Sequence, residues 1–218
     1  MIPIRENLVP KDKYAIKCPY TRTPTRVVIH NTANDAPAAN EISYMRYNDL
    51  EISFHYAVDD VNIVQGIPEN RNAWASGDGH GKGNMEGIHI EICYSKSGGK
   101  KFDKAEQNAA EFTASLLKKY GWAIDKVTKH RDYDGKYCPH RTLDRGWQRF
   151  LSMVKRYMEP AKTPVASKFT PYLIRKNCRD ALNIRKGPST NYGILGQIKD
   201  TLRYTIVEER SGPGSHKG

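Results

Sequence analysis

Residues 129–140 read KHRDYDGKYCPH, which sets an imidazole (His130) and a thiol (Cys138) eight positions apart around an Asp134-Gly135 turn. Far upstream, His30 closes the β-branched run TRVVIH. Side chains of these types support more than one chemistry. Neutral imidazole and thiolate bind zinc, and a catalytic zinc site takes three protein ligands and leaves one position for water. A thiol beside an imidazole can instead act as a nucleophile. The same residues can also be inert, because a lone cysteine is most often a small core residue. The turn lets the chain double back so that His130 and Cys138 face one point. Spacing by itself leaves all these readings open.

Whatever the chemistry, a scaffold has to bring His30 to that loop. TRVVIH (25–30) reads as a buried strand, SFHYAVDD (53–60) as a strand ending in an acidic turn, and NIVQ as a short strand. GIHIEICYS (87–95) alternates, with Ile88, Ile90 and Ile92 on one face and His89, Glu91 and Cys93 on the other. Asn40 is placed to cap a helix in which Ile42, Met45 and Asp49 are about one turn apart. Asp103 is placed to cap a second, with Ala105, Ala109, Phe112, Leu116 and Leu117 at helical spacing and Gly121 just past its end. KVTKH (126–130) predicts a short strand, and Trp147, Phe150, Leu151 and Val154 predict a helix. The five glycines of SGDGHGKGNMEG (76–87) predict an irregular loop. Strands alternating with helices predict α/β layers ending near residue 158.

The chain has 218 residues, of which 38% are hydrophobic and 27% charged, enough for one sizeable domain and a smaller one. No apolar run approaches the ~18 residues of a membrane-spanning helix. The start, MIPIRENLVPKDK, lacks an apolar segment of the kind a secretory signal needs, so none is expected. The net charge of +11 favours an anionic partner such as nucleic acid, anionic lipid or a teichoic-acid-bearing wall. Residues 159–218 hold 11 Lys and Arg against 5 Asp and Glu, over half of that surplus, which suggests an adhesive module. No RRM, KH or helix-turn-helix signature is present, so a nucleic-acid binder is not expected. The four cysteines are far apart, with no CxxC, and predict no disulfide framework; Cys18 and Cys93 read as buried thiols. EPAKTPVASK opens a linker over 159–169. PYLIRK, ALNIRKGPSTNYGILGQI and YTIVEE then read as short strands of a small β-barrel.

VVIHNTANDAP, SFHYAVDD, RNAWASGDG, IHIEICYS and GKYCPHRTL occur in that order within residues 1–157. Together they resemble the zinc-dependent N-acetylmuramoyl-L-alanine amidases of the amidase-2 family, relatives of the peptidoglycan recognition proteins, and among them phage endolysins of Bacillus-like or clostridial hosts. The resemblance implies a central mixed β-sheet flanked by helices over 1–158. It implies Zn2+ held by His30, His130 and Cys138, and hydrolysis of the amide between muramic acid and L-alanine in peptidoglycan. In such a site Glu91, in the IEIC motif, would take a proton from the attacking water and pass it to the leaving nitrogen. Lys136 of GKYC would steady the oxyanion. Phe54 stands where some relatives carry tyrosine, which removes a phenol and shifts weight to Glu91.

His55, Trp74, Asp78 and His80 are expected at the substrate wall, since aromatic faces suit pyranose rings. His89 would either orient Glu91 or pack, and His140 would be a structural partner rather than a fourth ligand. The segment 170–218 resembles an incomplete bacterial SH3-like wall-binding domain without its closing strands. The implied partner is cell-wall peptidoglycan, reached from the host cytoplasm after release. Two other readings remain: a recognition protein that binds without cutting, whose members typically lack the cysteine, and a protease with Cys138 as nucleophile.

Overall fold

The computed structural model describes residues 2–159, 172–175, 181–187, 190–200 and 202–206. The chain divides into two units, Met1–Ala161 and Lys162–Gly218. In the first, β1 (Ile4–Glu6), β2 (Arg26–Asn31), β3 (Tyr56–Val58), β4 (Ile63–Gln65), β5 (Gly87–Ile92) and β6 (Val127–Lys129) form one sheet. Its order is β1-β4-β3-β5-β2-β6. The β3–β4 pair is antiparallel and the others are parallel, so the sheet is mixed. The helices are α1 (Tyr14–Lys17), α2 (Ala38–Tyr47), α3 (Lys82–Glu86), α4 (Gly99–Tyr120), α5 (Arg131–Asp134), α6 (His140–Asp144) and α7 (Trp147–Met158).

The register of the two central strands decides what each face carries. Ile29 pairs with Ile90 and Val27 with Ile88, while His30 pairs with Glu91 and Val28 with His89. Matched residues share a face. The Val27–Ile29–Ile88–Ile90–Ile92 face joins Phe102, Ala105, Ala109, Phe112 and Leu116 of α4 in one core. Tyr56 meets Phe112 edge-on with ring centroids 4.6 Å apart. Burying each such aliphatic side chain contributes about 1.5–3 kcal/mol. The opposite face carries His30, His89 and Glu91.

Helix ends depart from several expectations. Helix α2 begins at Ala38, before Asn40, and its first N–H donates to Asp59 Oδ2 (2.9 Å) from the β3–β4 turn. Asp49 lies beyond α2 and pairs with Lys13 at 3.1 Å. Asp103 is inside α4, which starts at Gly99, and it pairs with Arg145. Gly121 does end α4, at φ +67° in the left-handed region. The glycine-rich stretch is not wholly irregular. Asp78 accepts the backbone N–H groups of Gly83 (2.7 Å) and Asn84 (3.1 Å), which starts α3 inside it. None of the described helices is long and apolar enough to cross a membrane.

In the second unit, β7 (Tyr172–Arg175) pairs with β10 (Arg203–Ile206), and β8 (Leu182–Arg185) pairs with β9 (Ile194–Ile198), both antiparallel. Leu182, Ile184, Ile194, Leu195 and Leu202 are all exposed. The described residues thus form two separate two-stranded sheets. Residues 160–169 of the expected linker, Cys178, the end of YTIVEE and residues 211–218 lie outside the described residues.

Candidate metal centre

His30 occupies β2 at its penultimate residue. Strand β6 runs parallel beside it, and the His130 N–H donates to the Ile29 carbonyl (3.3 Å), so the chain delivers His130 next to His30. Helix α5 then turns back through Gly135, at φ +81°. The Arg131 N–H donates to the Cys138 carbonyl (3.0 Å) and closes the loop. Asn31 fastens that loop to β2, because its Oδ1 accepts the N–H groups of Arg141 (3.0 Å) and Thr142 (3.2 Å) at the start of α6.

His30 Nδ1 therefore lies 3.1 Å from His130 Nδ1 and 4.0 Å from Cys138 Sγ. All three ligand atoms fall within 4.8 Å of one another, and all three residues are buried. Tetrahedral bonds to zinc of roughly 2.0–2.1 Å (nitrogen) and 2.3 Å (sulfur) separate donor atoms by about 3.3–3.6 Å, which the observed distances bracket.

The electrostatics agree with the geometry. Burial, followed by the neighbouring His89, His130 and Lys136, holds His30 well below the ordinary imidazole range. Burial also lowers His130. Both are neutral donors, as metal ligation requires. Burial and then Glu91 push the Cys138 thiol up to about 12. A nucleophilic cysteine needs a lowered pKa, so this environment speaks against the nucleophile reading, whereas a divalent cation would draw off the thiol proton. The donor set fits zinc.

The far sides of both imidazoles are also held. His130 Nε2 lies 3.1 Å from Asp134 Oδ2, and His30 Nε2 lies 3.0 Å from His89 Nδ1. Asp134 had no role in the sequence reading beyond its turn. Its i, i+4 spacing from His130 on a short helix was the available signal.

The centre opens into a cleft of about 1120 Å³ lined by His30, His130, Cys138, Glu91, Lys136 and His140, and on another wall by Tyr44, Ile52, Phe54, Trp74 and His80. Glu91 is partly buried, and its Oε2 has no hydrogen-bond partner. Burial first, then Glu41, raises its carboxyl to about 8, against a smaller lowering by Lys136. Lys136 is exposed on the rim. Trp74 donates its indole N–H to the Ile16 carbonyl (3.0 Å). Its ring stands 5.6 Å from His80 and 6.2 Å from Tyr20, forming an aromatic corner. His140 Nε2 lies 3.3 Å from the Ser95 carbonyl.

Two expected wall residues are elsewhere. His55 is fully buried beneath the cleft, held by Arg22 and the Arg71 carbonyl, so it cannot touch a ligand. Asp78 is committed to the start of α3. His89 sits behind His30 rather than orienting Glu91.

Residues 20–141 match the sequence profile of the Amidase_2 family, N-acetylmuramoyl-L-alanine amidase. The N-acetylmuramoyl-L-alanine amidase XlyB of Bacillus subtilis (strain 168) is 50% identical over 181 residues, covering 80% of this chain and 57% of its own. The amidase CwlA of the same organism is 58% identical over 146 residues, covering 66% and 54%. This chain thus spans a little over half the length of either relative. The solved structure of PlyL is 52% identical with a TM-score of 0.69, covering 70% of this chain and 97% of its own.

Proposed function

The chain belongs to the N-acetylmuramoyl-L-alanine amidase family, and on that premise we propose that it hydrolyses the amide joining N-acetylmuramic acid to L-alanine of the peptidoglycan stem peptide. The observation that carries this reading is the convergence of His30, His130 and Cys138 on one point in the cleft that also holds the unpartnered carboxylate oxygen of Glu91. His30, His130 and Cys138 would hold a zinc ion, which when bound would supply Lewis acidity toward the amide carbonyl and a nearby water.

The remaining work falls to the chain. The register places Glu91 beside His30 on the same face. Burial holds its carboxyl at about 8, near the range in which a carboxylate takes and returns a proton efficiently. Glu91 receives a proton from the attacking water as the new C–O bond forms. It delivers that proton to the alanine nitrogen as the C–N bond breaks. Lys136 on the rim stabilises the negative oxygen that develops in between, an effect of about 3 kcal/mol in comparable sites. Trp74 and His80 offer ring faces to the sugar. The net charge of +11 draws the protein to an anionic wall.

We read the chain as the lytic enzyme of a phage or prophage, acting on Gram-positive walls after release from the cytoplasm. Residues 1–158 would be the catalytic domain, 159–169 a linker and 170–218 an SH3-like wall-binding segment. Mass spectrometry of products from purified walls tests the activity. The expected products are stem peptides with a free L-alanine amino terminus and uncut glycan. A recognition protein that only binds predicts no new amino termini.

A further inference from the structure

Behind the candidate ligand His30 lie two further buried imidazoles, His55 and His89, that the proposed reaction does not use; all three are at most 1% exposed. We infer that His89 is a positioning residue that accepts the Nε2 proton of His30 and so fixes the tautomer whose Nδ1 is free for a metal; this rests on the metal reading above.

A neutral imidazole has one nitrogen that donates and one that accepts. His30 Nδ1 is the atom facing His130 and Cys138. If it keeps its lone pair for a metal, the proton must be on Nε2, and the atom opposite Nε2 is His89 Nδ1 at 3.0 Å. His89 can accept there only if its own proton is on Nε2. The Gly83 carbonyl lies near that edge of the ring but outside hydrogen-bond geometry, so His89 Nε2 has no partner there. A side chain at position 87 would crowd the arrangement, because a Cβ there would stand 2.6 Å from the Gly83 oxygen and 3.2 Å from His89 Nε2.

The residue is held from the other side too. The His89 backbone N–H donates to His55 Nδ1 (3.0 Å), and the two rings stack with centroids 5.5 Å apart and planes 15° from parallel. His55 Nε2 faces both the Arg71 carbonyl and the Arg22 guanidinium, each at 2.9 Å. The Arg22 guanidinium, donating to the Gly87 carbonyl (2.7 Å), places a fixed positive charge beside these rings. The geometry is thus a single contact behind the ligand, from His30 Nε2 to His89 Nδ1. Metal-bound histidines commonly give their second N–H to a carboxylate or carbonyl. In this chain Asp134 does so for His130, and a neutral imidazole does so for His30.

Zinc titration of the full chain against a chromophoric chelator tests this, with Cys138→Ser as the control for the metal site. His89→Leu removes the acceptor and should weaken zinc binding by about 10–100-fold. His89→Asn, whose Oδ1 can take the place of Nδ1, should stay within a few-fold of the parent. A long-range 15N–1H spectrum of the unsubstituted, zinc-loaded protein reads the tautomer without any substitution, and should show His89 protonated on Nε2 and bare on Nδ1. Leucine and asparagine variants that match each other, whether both like the parent or both impaired, would overturn the inference, as would a proton on His89 Nδ1. An unsubstituted chain that takes up no zinc would overturn the metal reading itself.

Discussion

The two faces of the β2–β5 pair use the same strands and the same alternation for opposite ends. On one face, Val27, Ile29, Ile88 and Ile90 meet α4, and their fit to Phe102, Ala105 and Phe112 makes a dry core. On the other, His30 and His89 are buried as deeply and Glu91 partly, yet all three carry nitrogen or oxygen atoms. The first face needs only shape and apolar area. The second needs a partner for every polar atom, because each one left unpaired in a buried setting costs about 1–3 kcal/mol. The Nε2 atoms of His30 and His130 meet that demand through His89 and Asp134. Glu91 Oε2 does not. Buried polar atoms left without partners on a folded sheet mark the face where stability has been given up for chemistry.

Substitutions on the two faces should therefore fail in different ways. The largest effect is expected from Cys138→Ser: zinc content and amide hydrolysis fall to background, while the melting temperature of the metal-free protein stays near that of the parent. Next, Glu91→Gln should keep its zinc and lose about 10^2–10^4-fold in turnover. It should also change stability with a defined sign. Burial holds this carboxyl at about 8 in the folded metal-free protein, above the ordinary 4.5. Folding therefore binds a proton, and the stability linked to it is present below about 4.5 and lost as pH rises toward 8. Metal-free Glu91→Gln should melt with the parent at pH 4.5 and above it at pH 8.

Ile90→Ala reverses the pattern. It should cost about 2–5 kcal/mol of folding stability in a denaturant titration, while the folded fraction binds zinc as the parent does. Loss of zinc affinity without loss of stability there would erase the contrast between the faces. The smallest effect is expected from Asp134→Ala, which removes the oxygen beside His130 Nε2. Zinc affinity should fall by about 10–100-fold in a competition titration, with the fold intact.

Much of this contrast is written in GIHIEICYS, where alternation alone separates the isoleucines from His89 and Glu91. The long elements were equally legible: α4 and α7 repeat their apolar residues often enough for a 3.6-residue period to show. Short elements were not. Helices α3, α5 and α6 have four or five residues each, too few for any period, and α3 sits in a glycine-rich stretch whose composition argues against it. It forms because Asp78 supplies oxygens to its first free N–H groups.

The same gap explains the site residues that moved. Reading Asp78 as a wall residue overlooked that nearby cap. The depth of His55 is set by Arg22, which is distant in sequence. His30, His130 and Cys138 do come together, because parallel pairing of β6 with β2 and a loop closed by Arg131 and Asn31 leave them nowhere else to go. What no spacing could supply was the contact behind His30, whose partner His89 comes from the neighbouring strand.

The most direct test of the central claim is a chelation and recovery experiment on purified walls, counting free L-alanine amino termini. The account predicts that zinc-loaded protein releases them, that a chelator stops the release, and that added zinc restores it while iodoacetamide treatment of the zinc-loaded form does not abolish it. Release that continues in chelator but ends with thiol alkylation would contradict it.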